Sequence, residues 1–247
     1  MNKIAPITLS FWITKICATT LGETGGDLLS MTLNIGYAVS TLILLVFFAT
    51  TLILQMKADR FRPLLYWSVI LSTSTAGTTM SDFMDRTLGL GYARGSVILI
   101  LGLVAALSVW RYVDGSISVS KIDSRRSEGF YWVVVLLSNT LGTALGDFLI
   151  DGSGLRFIGG AALVGSSIAV VALLYETTDL SRVLLFWIAF VLTRPFGAMF
   201  GDLLTKGSEI GGLGFGTILS SAILGVILVA TVVLTCRRGD DVDAGYA

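Results

Sequence analysis

Asp27, Asp82, Asp147 and Asp202 each close one of four related segments: TLGETGGD, TAGTTMSD, TLGTALGD and RPFGAMFGD. The third of these follows FYWVVVLLSN, an apolar run that has no use for a carboxylate unless something pairs with it. Carboxylates gathered in apolar surroundings have two chemistries open to them. They ligate a hard cation through oxygen, or they carry protons. The rest of the donor inventory narrows the first. The chain has no histidine, and its two cysteines, Cys17 and Cys236, stand in no metal-binding spacing. Oxygen-only ligation favours Mg²⁺, Ca²⁺ or Mn²⁺ over softer metals. No nucleophile paired with a base, metal triad or phosphate-binding loop is present, so the expectation is neither an enzyme nor an ATP-driven machine.

The bulk of the chain explains why those carboxylates matter. Its 247 residues are 54% hydrophobic and only 14% charged, with a mean hydropathy of +0.83, whereas a soluble domain carries about a quarter charged residues. The medium for most of this chain is lipid. Its 17 basic and 17 acidic residues balance, which gives no electrostatic field for nucleic acid. A membrane-crossing helix needs roughly 20 apolar residues. Eight such stretches are expected, near 8–30, 36–56, 64–84, 94–111, 130–150, 157–175, 183–205 and 212–235. Lys15 interrupts the first, which is therefore read as a retained span rather than a signal peptide.

Trp12, Trp67, Trp132 and Trp187 give the register of an internal repeat. Ten residues after each stands Gly22, Gly77, Gly142 or Gly197, fourteen after stands Gly26, Ser81, Gly146 or Gly201, and fifteen after stands the aspartate. The tryptophan spacings of 55, 65 and 55 residues make the unit a pair of spans, with the extra ten residues in a polar linker at 112–129. The repeats are then 8–56, 64–111, 130–175 and 183–235, in one membrane domain over 1–247. Two spans per unit insert every copy in the same direction, around an axis along the membrane normal. The fold class expected is all-α, an eight-span bundle.

Positions 3, 7, 11 and 15 after each tryptophan share a helix face. They read Lys15, Thr19, Glu23 and Asp27; Ile70, Ser74, Thr78 and Asp82; Val135, Asn139, Thr143 and Asp147; Phe190, Arg194, Ala198 and Asp202. Lipid would leave that polar face unsatisfied, so it must look inward. The small residues lie about 100° around the helix and permit close backbone approach. The expected picture is four polar helices inside and four apolar helices outside, with the four aspartates converging on one axis. They are the candidate ligands of a divalent cation, with Glu23 a turn deeper and Asp85 and Asp151 adding negative charge at the mouth. A charge at mid-bilayer costs about 3 kcal/mol. With Lys15 and Arg194 as the only embedded cations, the carboxylates must be protonated or hold a bound ion.

Several assignments have two readings. The aspartates either form an ion site or cap neighbouring loops. Arg194 either pairs with Glu23 structurally or serves as a tethered counter-charge. Lys15 either snorkels to the interface or partners Glu23. Thr19, Ser74, Thr78, Asn139 and Thr143 line a cavity or bridge helices. The four tryptophans are read as interface anchors rather than ligand platforms.

Eleven Lys and Arg residues, Lys3, Lys121, Arg237 and Arg238 among them, fall on one side of the spans. Four fall on the other: Arg86, Arg94, Arg156 and Lys206. Both termini are expected on the cytoplasmic side. The tryptophans and the G-x-x-x-[GS]-D segments resemble those of bacterial integral membrane proteins built from four tandem copies of a two-span repeat of unknown function. The resemblance covers roughly 12–235. It implies the fold plan and a bacterial cytoplasmic membrane, and little about activity. From the residues, the expected function is transport of a small cation, best a Mn²⁺-like ion and in the efflux direction, driven by an ion or proton gradient. The alternatives are a proton-coupled carrier of a small organic solute and a non-transporting sensor or assembly protein.

Overall fold

A computed structural model describes residues 4–122, 124–152 and 154–244, with side chains for all of these except Lys121 and residues 236–244. Expectations attached to the side chains of Lys3, Lys121, Cys236, Arg237 and Arg238 lie outside that description. The described residues form eight long helices and no strand. In chain order they are α1 (Leu9–Asp27), α2 (Tyr37–Lys57), α3 (Pro63–Asp82), α4 (Tyr92–Asp114), α5 (Arg125–Asp147), α6 (Arg156–Thr177), α7 (Arg182–Thr205) and α8 (Gly216–Ala244). Local chemistry sets several of the starts. Thr8, Ser124 and Ser181 accept hydrogen bonds from the backbone amides of Phe11, Ser127 and Leu184, and Pro63 occupies the first turn of α3. The linker between the halves is shorter than expected from composition, because α4 continues to Asp114 and α5 begins at Arg125. Asp114 closes it by accepting from Trp110, Arg126 and Ser127.

Among the described residues, α2, α4, α5, α6, α7 and α8 are each long and apolar enough to cross a membrane, which marks a multi-pass membrane protein. Eight spans are expected from the sequence, α1 and α3 among them. These two helices carry too many Thr, Ser and Gly for that measure, and their position explains why they tolerate them. They pack between other helices, and their hydroxyls bond back to their own carbonyls: Thr14 to Ser10, Thr20 to Ile16, Ser72 to Val69 and Thr73 to Ile70.

The odd-numbered helices form a closed ring, α1 on α3, α3 on α5, α5 on α7 and α7 on α1. The even-numbered helices lie outside it. Each outer helix packs on the inner helix of the next repeat, α2 on α3, α4 on α5, α6 on α7 and α8 on α1. The repeats therefore interlock cyclically instead of standing as four separate hairpins. Leu42, Val46, Leu101, Leu173 and Val226 are among the large apolar side chains the outer helices leave exposed, the surface that lipid covers.

The small residues set the ring's spacing. A Cβ added at Gly22 would overlap Ser74, at Gly77 the Asn139–Thr140 backbone, at Gly142 the Arg194 side chain, and at Gly197 the side chain of Thr19. In each case the glycine ten residues after a tryptophan meets the residue seven after the next one. Gly26 meets Thr78, Gly146 meets Ala198 and Gly201 meets Glu23 in the same way, one turn further along. Ser81 holds the corresponding place in α3 and is buried.

Candidate functional site

The ring can be followed in layers from the tryptophan end to the aspartate end. At the first layer, aromatic side chains join neighbouring helices in a closed circuit. Phe11 packs on Trp67 at 5.6 Å between ring centroids, Tyr66 on Trp132 at 5.6 Å, Tyr131 on Trp187 at 6.3 Å, and Phe186 on Trp12 at 5.8 Å. Tyr66 and Tyr131 share a hydrogen bond of 2.7 Å, fully buried. This corrects the reading of the tryptophans as lipid-interface anchors. Trp67, Trp132 and Trp187 are buried and Trp12 is half-buried, because the residue before each tryptophan supplies the next ring of the circuit. The circuit seals that end of the axis.

The next layer holds Lys15, Ile70, Val135 and Phe190, all fully buried. Lys15 does not snorkel. Its Nζ lies 3.7 Å from the centroid of the Phe190 ring, because the face that carries Lys15 points into the bundle and leaves its stem no path outward. No ion pair between Lys15 and Glu23 occurs among the described residues.

Deeper along the axis stands a fully buried knot. Arg194 Nη2 donates to Glu23 at 2.9 Å, to Thr78 Oγ1 at 2.5 Å, to Thr143 Oγ1 at 2.8 Å and to the Ser74 carbonyl at 3.4 Å. One guanidinium thus touches all three other repeats. Thr78 and Thr143 also donate to the same Glu23 oxygen, at 3.2 and 3.4 Å. Asn139 donates to Thr73 at 2.9 Å, and Thr19 donates to the carbonyls of Ile16 and Thr193. The side chains of Thr19, Thr78, Asn139 and Thr143 thus bridge helices around the axis, whereas Ser74 takes part through its backbone carbonyl.

The aspartates come last. All four are buried, but they do not meet as one ring of four ligands. Two cations that the sequence reading left in the loops fold back and divide them. Arg86 bonds Asp82 at 2.9 Å and Asp147 at 3.4 Å. Lys206 bonds Asp27 at 2.8 Å and Asp202 at 3.3 Å. Lys206 lies just past α7. Burial works against its charge, yet the carboxylates of Asp202 and Asp27 hold its ammonium above the ordinary lysine range. Lys15 and Arg194 are therefore not the only cations that offset the carboxylates, contrary to the expectation from sequence. Glu23 and the four aspartates face Lys15, Arg194, Arg86 and Lys206 among the described residues.

The ligand set is corrected as well. Among the described residues, the carboxylates near enough to share one ion are those of Glu23, Asp27 and Asp202, whose ligand atoms lie within 4.8 Å of one another. Asp82 and Asp147 stand outside that cluster and pair with Arg86 instead. Asp85 is no mouth residue either. It is buried against Gly95 and accepts from Ser81 at 3.4 Å, whereas Asp151 is exposed.

Immediately beyond the aspartates in three repeats the helix widens into a π turn: Leu28–Thr32, Phe83–Thr87 and Phe148–Gly152. Such turns are rare and recur at functional sites. In the fourth repeat α7 runs on to Thr205, and the Lys206 amide bonds the Asp202 carbonyl. Arg86 sits within its π turn, so that turn sets the angle from which the guanidinium reaches both aspartates.

A family model, Repeat of Unknown Function (DUF347), matches the chain four times, at residues 10–61, 65–116, 130–179 and 185–240. The chain belongs to that family, and the four matched segments coincide with the four helix pairs. Comparison with curated proteins and with solved structures found no match to either.

Proposed function

We propose that this member of the Repeat of Unknown Function family transports a small cation along the axis of its inner helix ring. The membrane of this reading is a bacterial cytoplasmic membrane, with both termini on the cytoplasmic side. The observation that carries the proposal is the convergence of Glu23, Asp27 and Asp202 within 4.8 Å, with the Lys206 ammonium seated between Asp27 and Asp202.

An oxygen-only site of three carboxylates suits a hard divalent ion, and Mn²⁺ is the substrate favoured here, moved outward by an ion or proton gradient. Lys206 acts as a resident counter-charge. Its side chain is 25% exposed, so it has a route to water when the substrate arrives. The divalent ion then replaces a monovalent ammonium among the same carboxylates. Arg86 performs the same office at Asp82 and Asp147. Past this layer the Glu23–Arg194 pair blocks the axis. Glu23 is the residue that both reaches the ion cluster and bonds the guanidinium, so its carboxylate transfers between the two. Arg194 keeps Thr78 and Thr143 as partners when Glu23 turns toward the ion.

Proteoliposomes loaded with a Mn²⁺-quenched dye test the proposal. The wild type quenches the dye in response to external Mn²⁺ under an imposed gradient. Asp27→Asn and Asp202→Asn slow quenching at least about tenfold, a loss of roughly 1.4 kcal/mol, while exposed Asp151→Asn leaves it unchanged. Equal rates in all four proteins would remove the carboxylates from the transport path.

A further inference from the structure

Between the Arg194–Glu23 knot and the aromatic circuit, the axis carries more positive charge than it has acceptors for. Lys15 is 0% exposed, and among the described residues its Nζ makes no hydrogen bond; its neighbour is the Phe190 ring face. Arg194 is also 0% exposed; among the described residues it donates through Nη2, and its Nε and Nη1 have no acceptor. The Ser74 hydroxyl, at the level of Arg194, has no hydrogen-bond partner among the described residues either. Phe190 precedes Arg194 by one turn of α7, so the ring that seats the ammonium places it next to the guanidinium layer. This stretch has two cations and one carboxylate, Glu23, which is turned to Nη2. The next carboxylate on an inner helix in this direction, Glu128, precedes Trp132 by four residues and so lies beyond the aromatic circuit.

We propose that a monovalent inorganic anion of halide size binds here, between Lys15 and Arg194. Burying an ammonium in a medium of low dielectric is costly, and attraction to one phenyl face offsets only part of that cost. A small anion would take hydrogen bonds from Lys15 Nζ and from Arg194 Nε and Nη1, and the Ser74 hydroxyl is free to donate a further one. It would bring the local charge to zero. The apolar wall made by Ile70, Val135 and Phe190 limits the occupant's size and rejects a carboxylate-bearing solute. The inference uses none of the four aspartates; it shares Arg194 and Glu23 with the cation-transport reading, and the bromide map and the manganese dye assay fail separately.

The test uses the purified full chain in detergent with gluconate as the only bulk anion. Titrated with sodium bromide, the wild type gains melting temperature saturably, and crystals in bromide show an anomalous peak within hydrogen-bond distance of Lys15 Nζ and Arg194. Lys15→Met, close in volume and uncharged, elutes as folded protein in gluconate but loses both the saturable gain and the peak. A wild-type anomalous map without a peak at saturating bromide overturns the proposal, and that map depends on no variant. So does a Lys15→Met protein that responds to bromide as the wild type does. A lysine held as the neutral amine gives the first of these results. Saturable stabilisation by acetate with none by bromide would likewise overturn it, by assigning the donors to an organic acid.

Discussion

Arg86 and Lys206 stand 120 residues apart and make the same bridge. Each reaches back to the aspartate four positions before it on its own helix, Asp82 or Asp202. Each also crosses to the aspartate of a neighbouring helix in the other half of the chain, Asp147 or Asp27. Shifting the second repeat onto the fourth and the first onto the third superimposes one bridge on the other in sequence. The first and third repeats carry Met31 and Asp151 at the matching position. At the aspartate layer a ring that packs with fourfold regularity is thus twofold in its charges. At that depth these bridges are the ion pairs that tie the two halves together among the described residues. Glu23, Thr143 and Arg194 then break the remaining symmetry, because a carboxylate and a guanidinium each occur once among four equivalent positions.

Removing one bridge separates its two roles. Lys206 is partly exposed, but its partners Asp27 and Asp202 are buried, so removing the ammonium leaves two desolvated carboxylates without their cation. Lys206→Met is therefore expected to lower stability by about 1–3 kcal/mol in metal-free buffer and to raise Mn²⁺ affinity about tenfold, near 1.4 kcal/mol. Isothermal titration calorimetry on both proteins measures the ratio, and an unchanged or weakened affinity would deny Lys206 its part as a competing cation.

The Arg194–Glu23 pair behaves differently because it is fully buried. Glu23→Gln leaves a desolvated guanidinium and is expected to cost about 3–5 kcal/mol. Combining it with Arg194→Met removes the charge that was left alone and recovers much of that loss. A double-mutant cycle by chemical unfolding, with coupling near zero, would show that the pair is not what holds the axis together.

Tyr66 and Tyr131 are each other's buried hydrogen-bond partners across α3 and α5. Tyr66→Phe strands one hydroxyl and is expected to cost about 1–3 kcal/mol. With Tyr131→Phe added, two apolar rings face each other and the cost falls toward zero. Thermal unfolding of the three variants decides it, and strictly additive losses would contradict the pairing.

Close approach is most exacting at Gly142, where an added Cβ would overlap the Arg194 side chain and touch Pro195. Gly142→Ala is expected to abolish monodisperse expression or to lower stability by more than about 2 kcal/mol. On the outer helix α8 nothing lies within 4 Å of a Cβ placed at Gly225. Gly225→Ala there is expected to stabilise by about 0.5–1 kcal/mol. Fluorescence-detected size exclusion with a temperature ramp compares the two, and equal tolerance would show that the ring is looser than drawn.

The fold plan was legible because it is written in offsets. Trp12 and its three counterparts, the glycines ten residues on and the aspartates fifteen on repeat without a gap. A polar stripe inside lipid has one place to go, which put Thr19, Ser74, Asn139 and Arg194 on the axis. Long side chains at helix ends were the blind spot. A cation one turn past an aspartate, as in Arg86 and Lys206, either runs out to water or folds back, and only the neighbouring helix decides which. Lys15 posed the same choice at the other end. The tryptophans misled for a related reason. Indole at a helix end suits a lipid interface and an inter-helix aromatic circuit equally well, and the rings that receive them belong to other repeats. The π turns after Asp27, Asp82 and Asp147 leave no mark in hydropathy, since one extra residue per turn changes the direction of a helix end and not its composition.

The carboxylate cluster is the centre of this account, and manganese anomalous scattering reaches it most directly. Crystals of the full chain grown with saturating Mn²⁺ are predicted to show one peak bounded by Glu23, Asp27 and Asp202, with Lys206 moved away from Asp27 and the peak lost in Asp27→Asn. A map with no peak there, and Lys206 still bonded to both aspartates, would contradict it.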